Sequence, residues 1–207
     1  MSSPEPAPPE RAGTSRRGLL VGGVGAGLAA SVAACGKSSK KGRTGPGPTG
    51  ATDVEIANYA LTLEYLESDF YARAVASKLF QGPRLELLKT FAEHETSHVD
   101  ALEKMVVKLG GRTVARPRAA FSFRNSTVVL KLAQRLENLG AAAYLGQADQ
   151  IRDKDLLALV LSIHSVEARH AAALNTELGK NVTPTGAFAR GASMDQVVTV
   201  LKQFVVG

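Results

Sequence analysis

The sequence predicts an all-α protein: a four-helix bundle with one long crossover between its second and third helices, plus a short helix near the C-terminal end. Three observations point there. Four long stretches space their apolar residues by three and four, the period of one helix face. No stretch alternates apolar and polar residues over enough positions to demand a sheet. The breaks between stretches are short except at 111–125. The first helix is expected over 53–79, where Thr52 and Glu55 have the spacing of a capping box. Gln81-Gly82-Pro83 interrupts the chain before a second helix over 84–109, which Gly110-Gly111 ends. A third helix is expected over 126–150 and a fourth over 154–178, with Asp153 placed to cap the fourth. Ser193 and Gln196 frame the short helix, 194–205. The segment 111–125 contains Pro117 and the alternating Phe121 and Phe123. At roughly 3.3 Å per extended residue it reaches about 50 Å, enough to pass the length of a helix of about 26 residues. The second and third helices are therefore free to run parallel.

The chain of 207 residues is 44% hydrophobic and 21% charged, too apolar for disorder and long enough for one domain with extensions. Its single cysteine excludes an internal disulfide. The formal charge of +6 looks like a nucleic-acid signal until it is located. Seven of the 25 basic residues and two of the 19 acidic ones precede Ala51, which leaves 18 against 17 in the remainder. A basic face for phosphate binding is thus unsupported, and no nucleic-acid partner is expected.

The N-terminal arm reads as export machinery. Ser15-Arg16-Arg17-Gly18-Leu19-Leu20 resembles the twin-arginine export motif, with Arg16 and Arg17 as its pair. The uncharged stretch that follows, 18–34, is short and glycine-rich for a membrane span but suits the apolar region of a signal peptide. It ends in Val32-Ala33-Ala34-Cys35, which resembles a bacterial lipobox, where the cysteine thiol takes a diacylglycerol and becomes the mature N-terminus; the alternative is an uncleaved anchor. Residues 36–50 contain no large apolar side chain and four positive charges, as befits a flexible tether. The expected organisation is a signal peptide (1–34), a lipidated cysteine with a basic linker (35–52), the bundle (53–178) and a C-terminal extension (179–207).

The apolar stripe of the second helix runs Leu88, Phe91, Glu95, His98, Leu102, Met105, Leu109, so a carboxylate and an imidazole occupy the middle of a core face. The fourth helix repeats the pattern with Val160, Ile163, Glu167, His170, Leu174. Burying such carboxylates costs several kcal/mol each unless something cationic compensates them. On the partner helices, Glu64 precedes Tyr71 by seven residues and Glu137 precedes Tyr144 by the same interval, which makes two similar helical hairpins. Glu137 and Glu167 each lie 15 residues from Arg152 at their turn, so an antiparallel pair brings them level. Four carboxylates and two neutral imidazoles then balance two divalent cations, the charge logic of a carboxylate-bridged dinuclear site.

With these residues the chain resembles a ferritin-like protein of the di-iron carboxylate superfamily, whose bundles take a Glu from each of two helices and a Glu-x-x-His from each of the other two. Leu61-Thr-Leu-Glu-Tyr-Leu-Glu-Ser-Asp-Phe-Tyr71 and Glu95-Thr-Ser-His-Val-Asp-Ala-Leu102 more narrowly resemble a ferritin-like domain family of exported bacterial proteins and plant desiccation-associated proteins. The resemblance implies Glu64 and Glu137 as terminal ligands, Glu95 and Glu167 as bridges, His98 and His170 as one nitrogen ligand per metal, and iron as the metal, with manganese the alternative. Glu67, one turn after Glu64, is either an added carboxylate ligand of the rubrerythrin type or an exposed helical glutamate. His94 points off the stripe, toward the surface or the back of a ligand. His164, three residues before Glu167, reads as a hydrogen-bonded core histidine, and Tyr71 and Tyr144 as packing residues with hydroxyls near the site.

Two functions of different class follow. One is an exported di-iron oxidoreductase, reducing dioxygen or peroxide with ferrous iron or a small reductant as electron donor. The other is a non-enzymatic metal-binding or stress-related surface module whose cluster mainly closes the bundle. The chain lacks the Cys-x-x-Cys pairs of a rubredoxin-type electron port. A lipid anchor and linker suit a membrane-tethered monomer or homodimer, handled by the twin-arginine machinery, better than a storage cage.

Overall fold

The structure, a computed structural model, describes residues 51–206. Arg16, Arg17 and Cys35 lie outside the described residues. Five α-helices follow in order: α1 (Asp53–Ala76), α2 (Gly82–Lys108), α3 (Ser126–Gln147), α4 (Lys154–Glu177) and the short α5 (Met194–Leu201). The described residues contain no strand, only an isolated bridge between Ala119 and Val205. None of their helices is long and apolar enough to cross a membrane.

Local chemistry sets the helix ends. Thr52 and Glu55 form a reciprocal capping box on α1, the Asn125 side chain accepts from Val128 N on α3, and Asp153 accepts from Asp155 N and Leu156 N on α4. α2 has no side-chain cap, but Pro83 occupies its first turn, where a missing N–H costs nothing. α1 and α2 pack as one hairpin and α3 and α4 as the other. The Asp53 carboxylate accepts from Arg152 N and Asp153 N, both at 2.9 Å, and so pins the start of α1 to the start of α4. The ends of α2 and α3 lie at that same pole, where Lys108 pairs with Asp155 and the 3₁₀ turn Ala148–Gln150 leads into α4. α2 and α3 therefore run parallel, and the segment 109–125 returns the chain along the bundle. On its way it buries Ala119 and lays Phe121 and Phe123 against Phe70, at ring-centroid distances of 5.3 and 5.7 Å.

The core is divided. One apolar cluster, including Leu61, Val99, Leu102, Leu156 and Ile163, fills the pole where α1 begins. A second, including Phe70, Leu88, Phe91, Leu136 and Leu174, fills the opposite pole. Between them, at mid-bundle, lies a layer of buried charged and polar residues. α5 covers the α1–α3 side of this layer, with Val197 and Leu201 packed on Leu63, Leu66 and Ala143. Full burial of such side chains is worth about 1.5–3 kcal/mol apiece. The extension is held at both ends by backbone: Ala192 N donates to Ala142 O at 2.8 Å, Ala120 N to Phe204 O at 2.8 Å, and Val206 N to Arg118 O at 2.9 Å.

Candidate metal centre

Each bundle helix delivers residues to the polar layer: Glu64 and Glu67 from α1, Glu95 and His98 from α2, Glu137 from α3, Glu167 and His170 from α4. The five carboxylates and His170 are buried, while His98 keeps 12% of its side chain exposed. His98 Nδ1 lies 3.1 Å from Glu95 Oε2 and 3.3 Å from both Glu64 Oε2 and Glu167 Oε1. His170 Nδ1 lies 3.1 Å from Glu95 Oε1 and 3.2 Å from Glu137 Oε2. The donors form two overlapping groups, Glu64–Glu95–His98–Glu167 and Glu95–Glu137–Glu167–His170, and within each group one atom per residue lies within 4.8 Å of the others. Glu95 and Glu167 belong to both groups.

The two hairpins are cross-linked at this level. The Tyr71 hydroxyl on α1 donates to Glu137 on α3, and the Tyr144 hydroxyl on α3 donates to Glu64 on α1. These bonds satisfy one oxygen of each outer glutamate and fix its rotamer. Other oxygens stay orphaned: Glu64 Oε2, Glu67 Oε2, Glu95 Oε1 and both oxygens of Glu167 are buried without a hydrogen-bond partner. His98 Nδ1 carries at most one hydrogen and faces three carboxylates, so it cannot satisfy them all. The electrostatics record the same conflict. Burial first, then neighbouring carboxylates, pushes Glu64, Glu67, Glu137 and Glu167 well above the usual carboxylate range. Glu95 runs the other way: burial opposes ionisation, yet the imidazoles of His170 and His98, each 3.1 Å from one of its oxygens, pull it down to about 2. For His98 burial disfavours the charge, and the Glu167, Glu64 and Glu95 carboxylates gathered around Nδ1 overcome it, raising the imidazole to about 12.

The sequence profile of the ferritin-like domain matches residues 52–180, which span all four bundle helices and every donor above. The chain belongs to the ferritin-like domain family. No curated protein matches this ferritin-like chain. Among solved structures it resembles a conserved hypothetical protein of Mycobacterium tuberculosis, at a TM-score of 0.55 and 18% identity over 60% of this chain and 96% of that one. It also resembles a hypothetical protein of Methanococcus jannaschii, at a TM-score of 0.50 and 17% identity over 72% of this chain and 91% of that one. At such identities the likeness concerns the fold.

In this ferritin-like bundle the residues fit a metal. A cation is the group that satisfies several orphaned carboxylate oxygens at once, and oxygen-rich donors with one imidazole per group suit iron or manganese. Glu67 is fully buried beside the cluster, which excludes the exposed alternative; its position shows through Gly140, where an added Cβ would lie 2.9 Å from Glu167 Oε2 and 3.1 Å from Glu67 Oε1. His164 stands apart from the donors, with Nδ1 donating to Ala141 O at 2.9 Å. His94 is exposed and also reaches the site from behind, its Nδ1 lying 2.9 Å from His170 Nε2. Sequence reasoning did not single out Gly140. The hairpin repeat contains the signal: Glu64 and Tyr71 map onto Glu137 and Tyr144 at one constant offset, and the same offset maps Glu67 onto Gly140.

Proposed function

We propose that this ferritin-like protein holds two divalent metal ions, iron with manganese as the alternative, and uses them to reduce dioxygen or peroxide, with ferrous iron or a small reductant as the electron donor, at the outer face of a cell membrane. The observation that carries the reading is the doubled donor group sharing Glu95 and Glu167. Glu64 and His98 complete one position, Glu137 and His170 the other. Paired metal ions of variable oxidation state supply one-electron steps to an oxidant. The protein's part is to bind and to exclude water. Tyr71 and Tyr144 hold the outer glutamates in place, the two apolar clusters seal the layer from either pole, and α5 seals its α1–α3 side. Placement at the membrane rests on the sequence alone, on the Arg16-Arg17 pair and the Val32–Cys35 lipobox.

The test is metal analysis of the purified full-length chain, followed by anaerobic loading with ferrous iron and exposure to oxygen or peroxide. Two metals per chain and oxidation well above the buffer rate are expected. His98→Ala and His170→Ala should each empty one position and lose most of the oxidation while retaining the helical fold. One metal per chain would defeat the dinuclear reading. Two metals without oxidant consumption would assign the protein to the non-enzymatic, stress- or desiccation-related class of surface module.

A further inference from the structure

We propose that His94 is a positioning residue for His170, and that it makes the Glu137–His170 position the tighter of the two metal positions. The inference rests on the two-metal reading above and goes beyond it by ranking the positions. His170 turns Nδ1 toward Glu95 and Glu137 and its opposite nitrogen, Nε2, toward His94 Nδ1 at 2.9 Å. The two ring planes differ by only 9° with centroids 5.1 Å apart. With the nitrogens in hydrogen-bond contact, that geometry is edge to edge, an in-plane N–H···N bond, and not a face-to-face stack.

Its chemical consequence is a fixed tautomer. A His170 that offers the Nδ1 lone pair to a metal carries its hydrogen on Nε2 and donates it to His94 Nδ1. Phe91 lies against the face of the same ring, with centroids 3.9 Å apart and planes 28° apart. Plane and tilt of His170 are thus set before a metal arrives, and binding through Nδ1 then fixes the tautomer, with Nε2–H already facing its acceptor. His98 has none of this. Its Nδ1 also faces the cluster, but among the described residues its other nitrogen has no hydrogen-bond partner, and its side chain is 12% exposed against 3% for His170. The residue that the hairpin repeat places opposite His94, one before Glu167, is Val166, which has no side-chain acceptor. The device exists in one half of the bundle only.

Loss of such an outer hydrogen bond typically costs about 10–100-fold in metal affinity. The experiment is an anaerobic titration of the full-length chain with cobalt(II) as probe, in competition with a chromophoric chelator. The unaltered chain should show two dissociation constants about tenfold or more apart. His94→Leu should weaken the tighter one by about 10–100-fold and leave the weaker one unmoved. His94→Gln, whose carbonyl oxygen still accepts from His170 Nε2–H, should restore most of the loss, which a merely structural role would not predict. His98→Ala should remove the weaker site and spare the tighter. In proton NMR of the cobalt protein, the exchangeable, paramagnetically shifted His170 Nε2–H should exchange slowly with D2O in the unaltered chain and the Gln variant and rapidly in the Leu variant. Two equal constants, or His94→Leu variants with both constants unchanged or both equally weakened, would overturn the assignment. A stoichiometry of one cobalt per unaltered chain would instead overturn the two-metal reading on which it rests.

Discussion

Gly140 occupies the point on α3 where a β-carbon would press on the carboxylates of Glu167 and Glu67, at 2.9 and 3.1 Å. Inside a helix a glycine costs roughly 0.5–1 kcal/mol relative to alanine, so its presence needs a local reason, and the space for two carboxylates supplies one. The atoms it would meet are the free ends of flexible side chains. Gly140→Ala should therefore leave the metal-free bundle folded and as stable or slightly more so, while turning the two carboxylates away from the cluster. The expected outcome is a smaller rise in melting temperature on anaerobic addition of ferrous iron than in the unaltered chain; an equal rise would refute the argument. At this scale the sequence was informative where side chains fall on a helical stripe. Glu95, His98, Glu167 and His170 could be read inward because Leu, Phe and Ile residues flank them at the same period. Glu67 could not be decided, because a glutamate one turn from another is equally at home in solvent. His94 could be placed only as surface or behind a ligand, since its partner on α4 is a tertiary contact that no local pattern encodes.

Among the elements, the C-terminal extension was the least legible and is the most dependent on contacts distant in sequence. Its helix was expected over 194–205 and ends at Leu201, after which the chain turns so that Phe204 and Val206 bond the crossover near Ala119. That pairing joins residues more than eighty positions apart, and no capping or periodic signal announces it. The bundle helices were read to within a few residues because their ends are local. The second begins at Gly82, two residues before expectation, since a proline is admissible in a first turn. The third ends at Gln147 and tightens into a 3₁₀ turn instead of continuing to residue 150. The first stops at Ala76, where the Ser77 hydroxyl donates back to Ala74 O at 2.6 Å. Where the extension meets α3, a β-carbon on Gly146 would land on the Ala192 carbonyl, backbone against backbone with no side chain to yield. Gly146→Ala should thus lift the extension from α3, weaken the Ala192 N to Ala142 O bond and loosen Val197 and Leu201. A loss of about 1–3 kcal/mol in urea unfolding is expected, the usual cost of overpacking. Limited proteolysis should cut first within 180–193. Unchanged stability and cleavage would show that the strap carries no load.

For the whole molecule, the all-α bundle with its long crossover was legible because apolar period, caps and breaks all agreed. Placement in the cell rests on a segment whose chemistry is read from sequence alone: Cys35→Ala should release the protein from membranes or leave its precursor uncleaved, and unchanged size with membrane retention would reject the lipobox. The bundle as a whole also predicts how protons and metal compete for it. Glu64, Glu67, Glu137 and Glu167 ionise in the folded chain well above their ordinary 4.5. A raised folded value contributes stability that is complete below the unfolded value and is lost as pH climbs through the folded one. His98, raised to about 12 from 6.5, has the same sign, its contribution fading from pH 6.5 upward. Glu95, lowered to about 2 from 4.5, has the opposite sign and withdraws its contribution only as pH falls from 4.5 toward 2. The chelator-treated protein should therefore be most stable in mild acid and lose melting temperature between about pH 5 and 8. A bound cation takes the place of those protons, so metal uptake releases protons and strengthens as pH rises. The loaded protein should hold or gain melting temperature over the same interval, and the gap between the two forms should widen steadily. Scanning calorimetry with chelator and with ferrous iron across that range decides it: a chelated protein that grows more stable toward pH 8, or a gap that stays constant, would mean that the buried carboxylates are compensated by something other than protons and metal.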